Sequence, residues 1–504
     1  MHPLSRRCCS HLKSGFRTVF RTISRKHQHN PTDSPGLRPF RYNHTDSPLR
    51  FSLDDEEGPR RSAAIVVGGG PAGIAAVGKL LEVFPGGNIT WVDQSFTGGT
   101  INQFLRGLPS YGTAGDYVAY AQTLPVIQKL WAVPNRNRHN AVKAMQALDP
   151  VRPCALSYVG DMLQLISDGL RKHARVQSVT GTVTLLARDP KTRVWTVAVD
   201  TTGVGTNPPL LSLRTPMVIL CTGARPVVNT LPVQVSQLPL YTGLSRPHLT
   251  KILPPEEPRT IAVIGSGHSA VLVLRNLAHL ASTTHPHLRI RWLTRSPHLT
   301  YASHVGDSPN GPVIANQYDG LTGKAAEFAR EELDGDALAT SPAGRFITRV
   351  GLPTVPGEPR PQNKDWAREQ GDLEHPALVS GLKGCDFAIQ AVGFARARLP
   401  ELRPGVDAGT VALGTRPRTL MFNSETGSLY PAGADRMSAV GLFGAGSGFP
   451  EVVPTPEMVK KPRVGVLWFM MFVKKMAPMW ALATRDGKFP EGFDPQGRTW
   501  FGGP

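Results

Sequence analysis

Two glycine-rich segments of this chain have the spacing that lets a backbone turn bind a pyrophosphate. The first reads Gly68-Gly69-Gly70-Pro71-Ala72-Gly73, and the second reads Gly265-Ser266-Gly267-His268-Ser269-Ala270. In this G-x-G-x-x-G/A pattern the first glycine permits a tight turn and the second lets the backbone approach the phosphates. The third position allows close contact between helix and strand. The N–H groups and positive dipole end of the following helix attract the phosphates. Each segment therefore predicts a dinucleotide site.

The first segment has the surroundings that this pattern requires. An apolar run at residues 63–67 precedes it, as expected of a parallel strand buried on both faces, and a helical stretch follows. The next predicted strand ends at Asp93, twenty residues after Gly73. A carboxylate there can accept hydrogen bonds from the ribose hydroxyls of adenosine. At Gly98 and Gly99, we expect the backbone to lie close to the ligand.

The second segment lies between strands predicted at residues 260–264 and 288–293. The latter strand ends at Thr294 and Arg295, so the position of the ribose-binding carboxylate has no acid. An arginine there suits a 2′-phosphate, so we expect NADP, with NAD as the alternative. His268, inside the loop, is assigned no catalytic role.

The order of these segments resembles the two-dinucleotide-binding-domain flavoproteins, the group that includes the pyridine nucleotide-disulfide oxidoreductases. The resemblance spans about residues 62–480. Apolar ladders at residues 176–183 and 195–199 are similar to the family's β-meander. Residues 387–393 resemble the strand that leaves the nicotinamide domain.

Two further motifs carry the resemblance to the flavin site. The strand that ends in Thr222-Gly223 resembles the one that returns the chain to the flavin, and the segment ending in Gly446 resembles the late strand that contacts it. Ser447 stands where the family usually has Asp. The resemblance implies FAD at the first loop and NAD(P) at the second.

The fold that the resemblance implies is α/β, with two Rossmann-like three-layer dinucleotide-binding domains and the NAD(P) domain inserted into the FAD domain. We place a presequence and linker at residues 1–61 and the first part of the FAD-binding domain at 62–245. The NAD(P)-binding domain takes 246–384. The second part of the FAD-binding domain, with a C-terminal helix, takes 385–504.

The resemblance implies an FAD-dependent oxidoreductase that takes hydride from NADPH, or NADH, and passes electrons to an unidentified small-molecule or protein acceptor. No redox cysteine pair is found, because Cys154 and Cys221 are single. Thiol–disulfide exchange through an internal dithiol is therefore not supported. Flavin monooxygenases share a second loop ending in Ser-Ala, but their FxGxxxH motif is absent, which weakens that interpretation and leaves it open. A membrane-surface quinone-linked dehydrogenase and a non-catalytic structural or assembly subunit are the alternatives.

The two termini carry further predictions. Residues 1–30 contain seven Lys and Arg and no acid, with apolar residues at helical spacing. This is typical of a mitochondrial presequence, so we expect the matrix or the matrix face of the inner membrane. Near the other end, residues 464–473 form an apolar run that is too short to span a bilayer. A terminal helix buried against the FAD domain is favoured over a helix at a membrane surface.

The net charge of +18 raises the question of nucleic acid. The basic residues are scattered, and the sequence has no nucleic-acid-binding motif, so we expect no nucleic-acid partner. No metal site is predicted, and the oligomeric state and catalytic residues are left open.

Overall fold

A computed structural model describes residues 62–132, 140–204, 210–295, 298–302, 320–352, 376–403, 420–432, 441–454 and 460–489. The chain divides into two compact units, Met1–Glu57 and Gly58–Pro504. All described residues belong to the second unit, and everything below concerns it. The presequence and linker predicted for residues 1–61 lie outside the described residues and stay a prediction.

The strands are short and are spread over the whole described part of the chain. In chain order they are β1 (Ala64–Val67), β2 (Ile89–Asp93), β3 (Pro109–Thr113), β4 (Pro153–Ala155), β5 (Val176–Thr180), β6 (Thr182–Arg188), β7 (Trp195–Asp200), β8 (Leu210–Thr215), β9 (Val218–Leu220), β10 (Ala224–Pro226), β11 (Ser236–Leu238), β12 (Arg259–Ile264), β13 (Leu288–Thr294), β14 (Ile347–Gly351), β15 (Phe387–Gln390), β16 (Phe394–Arg396), β17 (Glu401–Arg403), β18 (Leu420–Phe422), β19 (Leu429–Pro431), β20 (Leu442–Gly444), β21 (Glu451–Pro454) and β22 (Lys460–Arg463).

The α-helices are spread along the same part of the chain. They are α1 (Pro71–Val83), α2 (Ala114–Gln122), α3 (Pro125–Ala132), α4 (Ala141–Gln146), α5 (Leu156–Arg171), α6 (Leu240–Gly243), α7 (Arg246–Ile252), α8 (His268–Thr283), α9 (Gly323–Phe328), α10 (Ala337–Thr340), α11 (Pro376–Leu382) and α12 (Val466–Asp486). Residues Ile101–Leu105 and Ala329–Leu333 form π-helical turns, and Thr202–Val204 and Pro342–Arg345 form 3₁₀ turns.

The first sheet is parallel, with strand order β20-β9-β1-β2-β5. Alternate side chains of β1 point to opposite faces, so Ala64 and Val66 join one core while Ile65 and Val67 join another. Helices α1, α5 and α12 pack on the first face, and the meander packs on the second. The sheet is therefore the middle of three layers, which confirms the predicted fold of this domain.

The meander joins β6, β7 and β8 in antiparallel order, with β17 parallel to β6 at its edge. The sequence analysis assigned residues 176–183 to this meander, and that assignment was partly wrong. Val176–Thr180 is the edge strand of the first sheet, and the meander starts at Thr182. Gly181 lies between the two strands, at a point where a Cβ would lie only 2.6 Å from the carbonyl oxygen of Asp200.

The second sheet is also parallel, with strand order β11-β15-β12-β13-β14. Helix α8 packs on one face, and α11 packs on the other. All of its strands fall between β9 and β20 in the chain, so this domain is inserted into the first, as predicted. The boundaries 246–384 stay a prediction, although β11 and β15 extend the sheet beyond that interval on either side.

The chain passes between the two sheets along a narrow ribbon. β10 leaves the first domain and β16 returns to it, and these two strands pair antiparallel, with Ala224 opposite Arg396 and Pro226 opposite Phe394. The outgoing and returning connections therefore lie side by side.

The C-terminal helix is longer than the apolar run had indicated. Helix α12 has 21 residues because the apolar spacing resumes at Met476 and Trp480, beyond two exposed lysines, Lys474 and Lys475. By length and composition alone it could cross a membrane, which corrects the prediction that the segment is too short, and half of its most apolar window is buried. Its inner face packs on α1 in the first core, as expected of the buried terminal helix.

Replacing a side chain on this inner face will destabilise the first domain. Trp480 is fully buried, stacks on Phe443 with ring centroids 5.2 Å apart, and donates from Nε1 to the carbonyl oxygen of Thr426. We expect Trp480→Ala to lower the free energy of unfolding by about 3–5 kcal/mol, measured by chemical denaturation. Met471→Ala, on the exposed face of the same helix, is the control and should change it by less than about 0.5 kcal/mol. Equal effects of the two substitutions would contradict the packing of α12 described here.

Candidate functional site

The first glycine loop lies between β1 and α1 and has no room for side chains at two positions. Gly68 has a φ of 116°, and a Cβ there would lie 2.2 Å from the carbonyl oxygen of Cys221. A Cβ on Gly73 would lie 1.8 Å from the carbonyl oxygen of Gly68. Above Gly70 the space is open, since the nearest atom to a Cβ would be 3.9 Å away, on Gly99. The three glycines therefore have the surroundings that the sequence analysis expected of them.

Helix α1 begins at Pro71 without a capping side chain. Its N-cap residue is Gly70, which has no side chain to accept a hydrogen bond from the first turn. The first N–H groups of a helix have no partner within the helix, so they are available to an anion. Helix α1 therefore offers donors to phosphates at the open side of the loop.

Asp93 lies beside this loop, as the sequence predicted, and also has a structural task. Its carboxylate accepts hydrogen bonds from the backbone N–H groups of Gly69 at 2.7 Å, Ser95 at 2.9 Å and Phe96 at 2.7 Å. A carboxylate has about four acceptor positions, so one is left on Oδ2 for a ribose hydroxyl. The ribose-binding role of Asp93 stays a prediction.

Two further glycines lie against the first loop. Gly98 and Gly99 both have a φ of 79°, and a Cβ on Gly99 would lie 2.8 Å from the Cα of Gly70. This close approach keeps the side of the loop free of side chains, as expected of backbone next to a ligand.

The ends of β9 and β20 complete the same edge of the first sheet. The hydroxyl of Thr222 is buried and, within the described residues, has no hydrogen-bond partner. A buried polar group without a partner is rare in proteins and points to a missing ligand or water. A Cβ on Gly446 would lie 2.8 Å from Cβ of Ala72, and a Cβ on Gly223 would lie 3.7 Å from the hydroxyl oxygen of Ser447.

The residues predicted for FAD are thus brought together around one cradle of backbone N–H groups. The orphaned Thr222 hydroxyl and the glycines that no Cβ can replace fit a pyrophosphate-containing ligand. Burial raises the pKa of the Cys221 thiol far above the usual value, which disfavours the reactive thiolate. Burial also raises the pKa of Cys154.

The second glycine loop repeats this geometry between β12 and α8. Gly265 has a φ of 125°, and a Cβ there would lie 2.3 Å from the carbonyl oxygen of Ala391. Gly267 is the N-cap of α8, makes no side-chain hydrogen bond, and has open space around it. Ala270, in the first turn of α8, is fully buried. The backbone N–H of Gly265 donates to the carbonyl oxygen of Leu293, two residues before Arg295. This bond places the Ser266 turn at the end of β13.

His268 occupies the first position of α8 and is uncharged at neutral pH. Burial lowers its pKa to about 4, and its Nδ1 has no partner among the described residues. Its ring meets that of Tyr111 edge-on, with centroids 5.2 Å apart. Like the Thr222 hydroxyl, this buried Nδ1 is left without a hydrogen-bond partner within the described residues.

A segment of the first domain connects the two sites, and the sequence analysis missed it. Phe104 stacks on Tyr241 of the second domain, with ring centroids 4.6 Å apart and planes 3° from parallel. The Tyr111 hydroxyl donates to the carbonyl oxygen of Gly320. Leu105 and Leu108 pack against the cores of both domains. No spacing rule marks such contacts, because they join residues more than 100 positions apart.

Trp91 and Trp292 are also functional candidates that the sequence analysis missed. The indole N–H of Trp91 donates to the carbonyl oxygen of Gly68, and that of Trp292 donates to the carbonyl oxygen of Gly265. Among the residues that the structure describes, no group of three His, Cys, Asp or Glu side chains is placed to hold a metal ion.

No protein-family model matches the chain. Monooxygenase AgnR1 of Paecilomyces divaricatus is 34% identical over 430 residues, which is 84% of this chain and 99% of that protein. Among solved structures, the FAD-bound cadaverine monooxygenase DfoA of Erwinia amylovora matches with a TM-score of 0.50 and 12% identity, covering 85% of this chain and 96% of its own. The ornithine N-hydroxylase KtzI of Kutzneria sp. 744, solved with reduced FAD, NADP⁺ and L-ornithine, matches with a TM-score of 0.52 and 13% identity. That match covers 83% of this chain and 99% of KtzI, and at these identities the two structures show the fold alone.

A methyl group at position 73 will disrupt the first loop. Because a Cβ there overlaps the Gly68 carbonyl oxygen, Gly73→Ala must move the helix or the turn. We expect a loss of about 1–3 kcal/mol in the free energy of unfolding, together with loss of bound dinucleotide from the purified protein. Gly86→Ala is the control, since nothing lies within 4 Å of a Cβ there. Normal stability and ligand content in Gly73→Ala would show that the loop is wider than described.

Proposed function

The chain belongs to the two-dinucleotide-binding-domain FAD/NAD(P) flavoprotein oxidoreductases, and we propose that it is an NADPH-dependent FAD monooxygenase acting on a small organic substrate. The observation that carries the proposal is the 34% identity to a monooxygenase along 99% of that relative's length. An identity that extends over both dinucleotide domains includes the parts that bind the cofactors and the space between them. Molecular oxygen then takes the place of the unidentified electron acceptor.

FAD is assigned to the first loop and NADPH to the second. The flavin site consists of Gly68, Gly70, Pro71, Ala72, Gly73, Asp93, Gly98, Gly99, Thr222, Gly223 and Gly446. The NADPH site consists of Gly265, Ser266, Gly267, Ala270 and Arg295. FAD and NADPH both fit their loops, because each loop leads into an uncapped helix and contains a glycine that no larger residue can replace.

The chemistry that bound FAD supplies is the transfer of two electrons from NADPH to oxygen, so that one oxygen atom enters the substrate and the other leaves as water. The chain itself binds and orients the two dinucleotides. The open helix starts hold the two pyrophosphates, and the segment around Phe104 and Tyr111 keeps the two domains in contact. The neutral imidazole of His268 adds no charge beside the second pyrophosphate.

The preference for NADPH is supported by the end of β13. Trp91 and Trp292 are equivalent in the two domains, and the residue two positions later is Asp93 in the first domain but Thr294 in the second. A carboxylate at this position would repel a 2′-phosphate, whereas a threonine does not. Arg295 follows directly and can pair with that phosphate.

Specific observations bear on the monooxygenase proposal and on each of the alternative functions. The FxGxxxH motif of flavin monooxygenases is absent, so the proposal rests on the relative and not on that motif. A quinone-linked dehydrogenase would need α12 against a membrane, but the inner face of this helix packs on α1, and half of its most apolar window is already buried. A non-catalytic subunit gives no reason for two loops that both exclude side chains. Mitochondrial import stays a prediction from residues 1–30.

The purified protein should be yellow, and NADPH should bleach its flavin absorbance under anaerobic conditions. Readmitted oxygen should restore the colour. With isotopically labelled oxygen gas and a panel of amines, ketones and phenols, one labelled atom should appear in a product. A colourless protein that ignores NADPH would overturn the whole assignment. Flavin that is reoxidised by quinones but not by oxygen would overturn the monooxygenase and favour the dehydrogenase.

Reversing the charge of Arg295 should lower the preference for NADPH over NADH by about tenfold or more, because a charge-assisted contact to the 2′-phosphate is lost. The measurement is the ratio of kcat/KM for the two nucleotides in Arg295→Glu. The control is Arg289→Glu, which makes the same charge change near the start of β13, about 20 Å from Arg295 by strand rise. An unchanged ratio in Arg295→Glu, or an equal fall in both variants, would remove Arg295 from the site.

A further inference from the structure

The two domains contain the same tryptophan contact. The indole Nε1 of Trp91 lies 2.9 Å from the carbonyl oxygen of Gly68, and that of Trp292 lies 2.8 Å from the carbonyl oxygen of Gly265. Both side chains are fully buried. In each case the acceptor is the first glycine of a dinucleotide loop.

The two tryptophans also occupy the same place in their sheets. Trp91 pairs with Val66 of β1, and Trp292 pairs with Val263 of β12. In both domains the glycine comes two residues after that partner. The equivalence is thus one of register and not of sequence spacing, since 23 residues separate the first glycine from its tryptophan and 27 separate the second.

A buried carbonyl at this position needs a donor. Gly68 turns with a positive φ, and its oxygen lies so close to α1 that a Cβ on Gly73 would overlap it. The helix does not supply the bond, because the N–H of Ile74 donates to Gly70. An indole can only donate, so Trp91 satisfies the oxygen without competing for the N–H groups of the loop.

The contact fixes the orientation of a peptide plane. In the first loop, Trp91 holds the oxygen of the Gly68–Gly69 peptide and Asp93 accepts from its N–H at 2.7 Å. These side chains are two residues apart on β2, so they lie on the same face of the strand. Both ends of this peptide plane are therefore hydrogen-bonded to side chains of β2. The N–H groups that follow the plane remain available to the ligand.

We propose that Trp91 and Trp292 are positioning residues for the dinucleotides, each acting on the loop of its own domain. Neither touches the ligand. Each preorganises the first peptide of a loop, so that the loop does not have to be ordered when the pyrophosphate binds. The identity of the ligands, FAD and NADPH, rests on the proposed function.

The preorganisation predicts a crossed pattern of binding. A neutral hydrogen bond of this kind corresponds to about a fivefold to tenfold change in affinity. We expect Trp91→Phe to raise the dissociation constant of FAD by that factor and to leave that of NADP⁺ unchanged once flavin is saturating. Trp292→Phe should do the reverse. Apoprotein titration with FAD and calorimetry with NADP⁺ on the flavin-loaded protein measure the two constants without turnover.

A third variant separates positioning from loss of a buried indole. Trp480 is also fully buried and donates from Nε1 to a backbone oxygen, but the acceptor is Thr426 and not a glycine loop. Trp480→Phe should therefore change neither dissociation constant, even if it lowers stability. If Trp91→Phe does not fold, a benzothiophene analogue of tryptophan placed at position 91 replaces the N–H by sulfur at nearly the same shape. That analogue should weaken FAD binding in the same way.

Wild-type affinities in both variants would overturn the inference, and so would equal weakening of both ligands in each variant. These failures differ from failure of the proposed function. If the wild-type chain binds neither FAD nor NADP⁺, the function is wrong. If it binds both and the tryptophan variants bind them equally well, only the positioning role is wrong.

Discussion

The close approach of α1 to the turn after β1 is the contact on which the first domain depends. Only a glycine at position 73 lets the helix pass over the Gly68 carbonyl oxygen, and this closeness sets the height of α1 above the sheet. Helix α12 then packs along α1, and the Tyr120 hydroxyl ties α2 to its first turn by donating to the carbonyl oxygen of Pro71. The same contact that opens the helix start to phosphate therefore also orders the core beneath it.

The second domain obeys a relaxed form of this constraint. Its loop has Ala270 where the first has Gly73, so a methyl group fits between helix and turn. The rest of the pattern is the same: a positive-φ glycine, an uncapped helix and an indole that donates to the turn. The two loops thus have the same geometry and differ in whether a methyl group fits at their third position.

Much of the fold could be predicted because its strands are short apolar runs that precede recognisable glycine turns. β1, β12 and the return strand β9 are of this type. The edge strand β5 could not be separated from the meander, because apolar spacing does not show which sheet a strand joins. The length of α12 was underestimated because two lysines interrupt its apolar run, although they lie on the exposed face.

Trp91 and Trp292 could not be found from spacing, since their partners are set by sheet register. The segment at Phe104 and Tyr111 depends on contacts made only when both domains are folded.

The paired strands β10 and β16 have a consequence for how such a chain can be built. Paired residues on neighbouring strands are about 5 Å apart, so the point where the second domain leaves the first and the point where it returns almost meet. In space, the first domain is continuous across this junction, even though some 170 residues separate its two sides in the sequence. The inserted domain is therefore attached to the first through two adjacent strands, and a short linker across this ribbon could join the two parts of the first domain into one continuous chain.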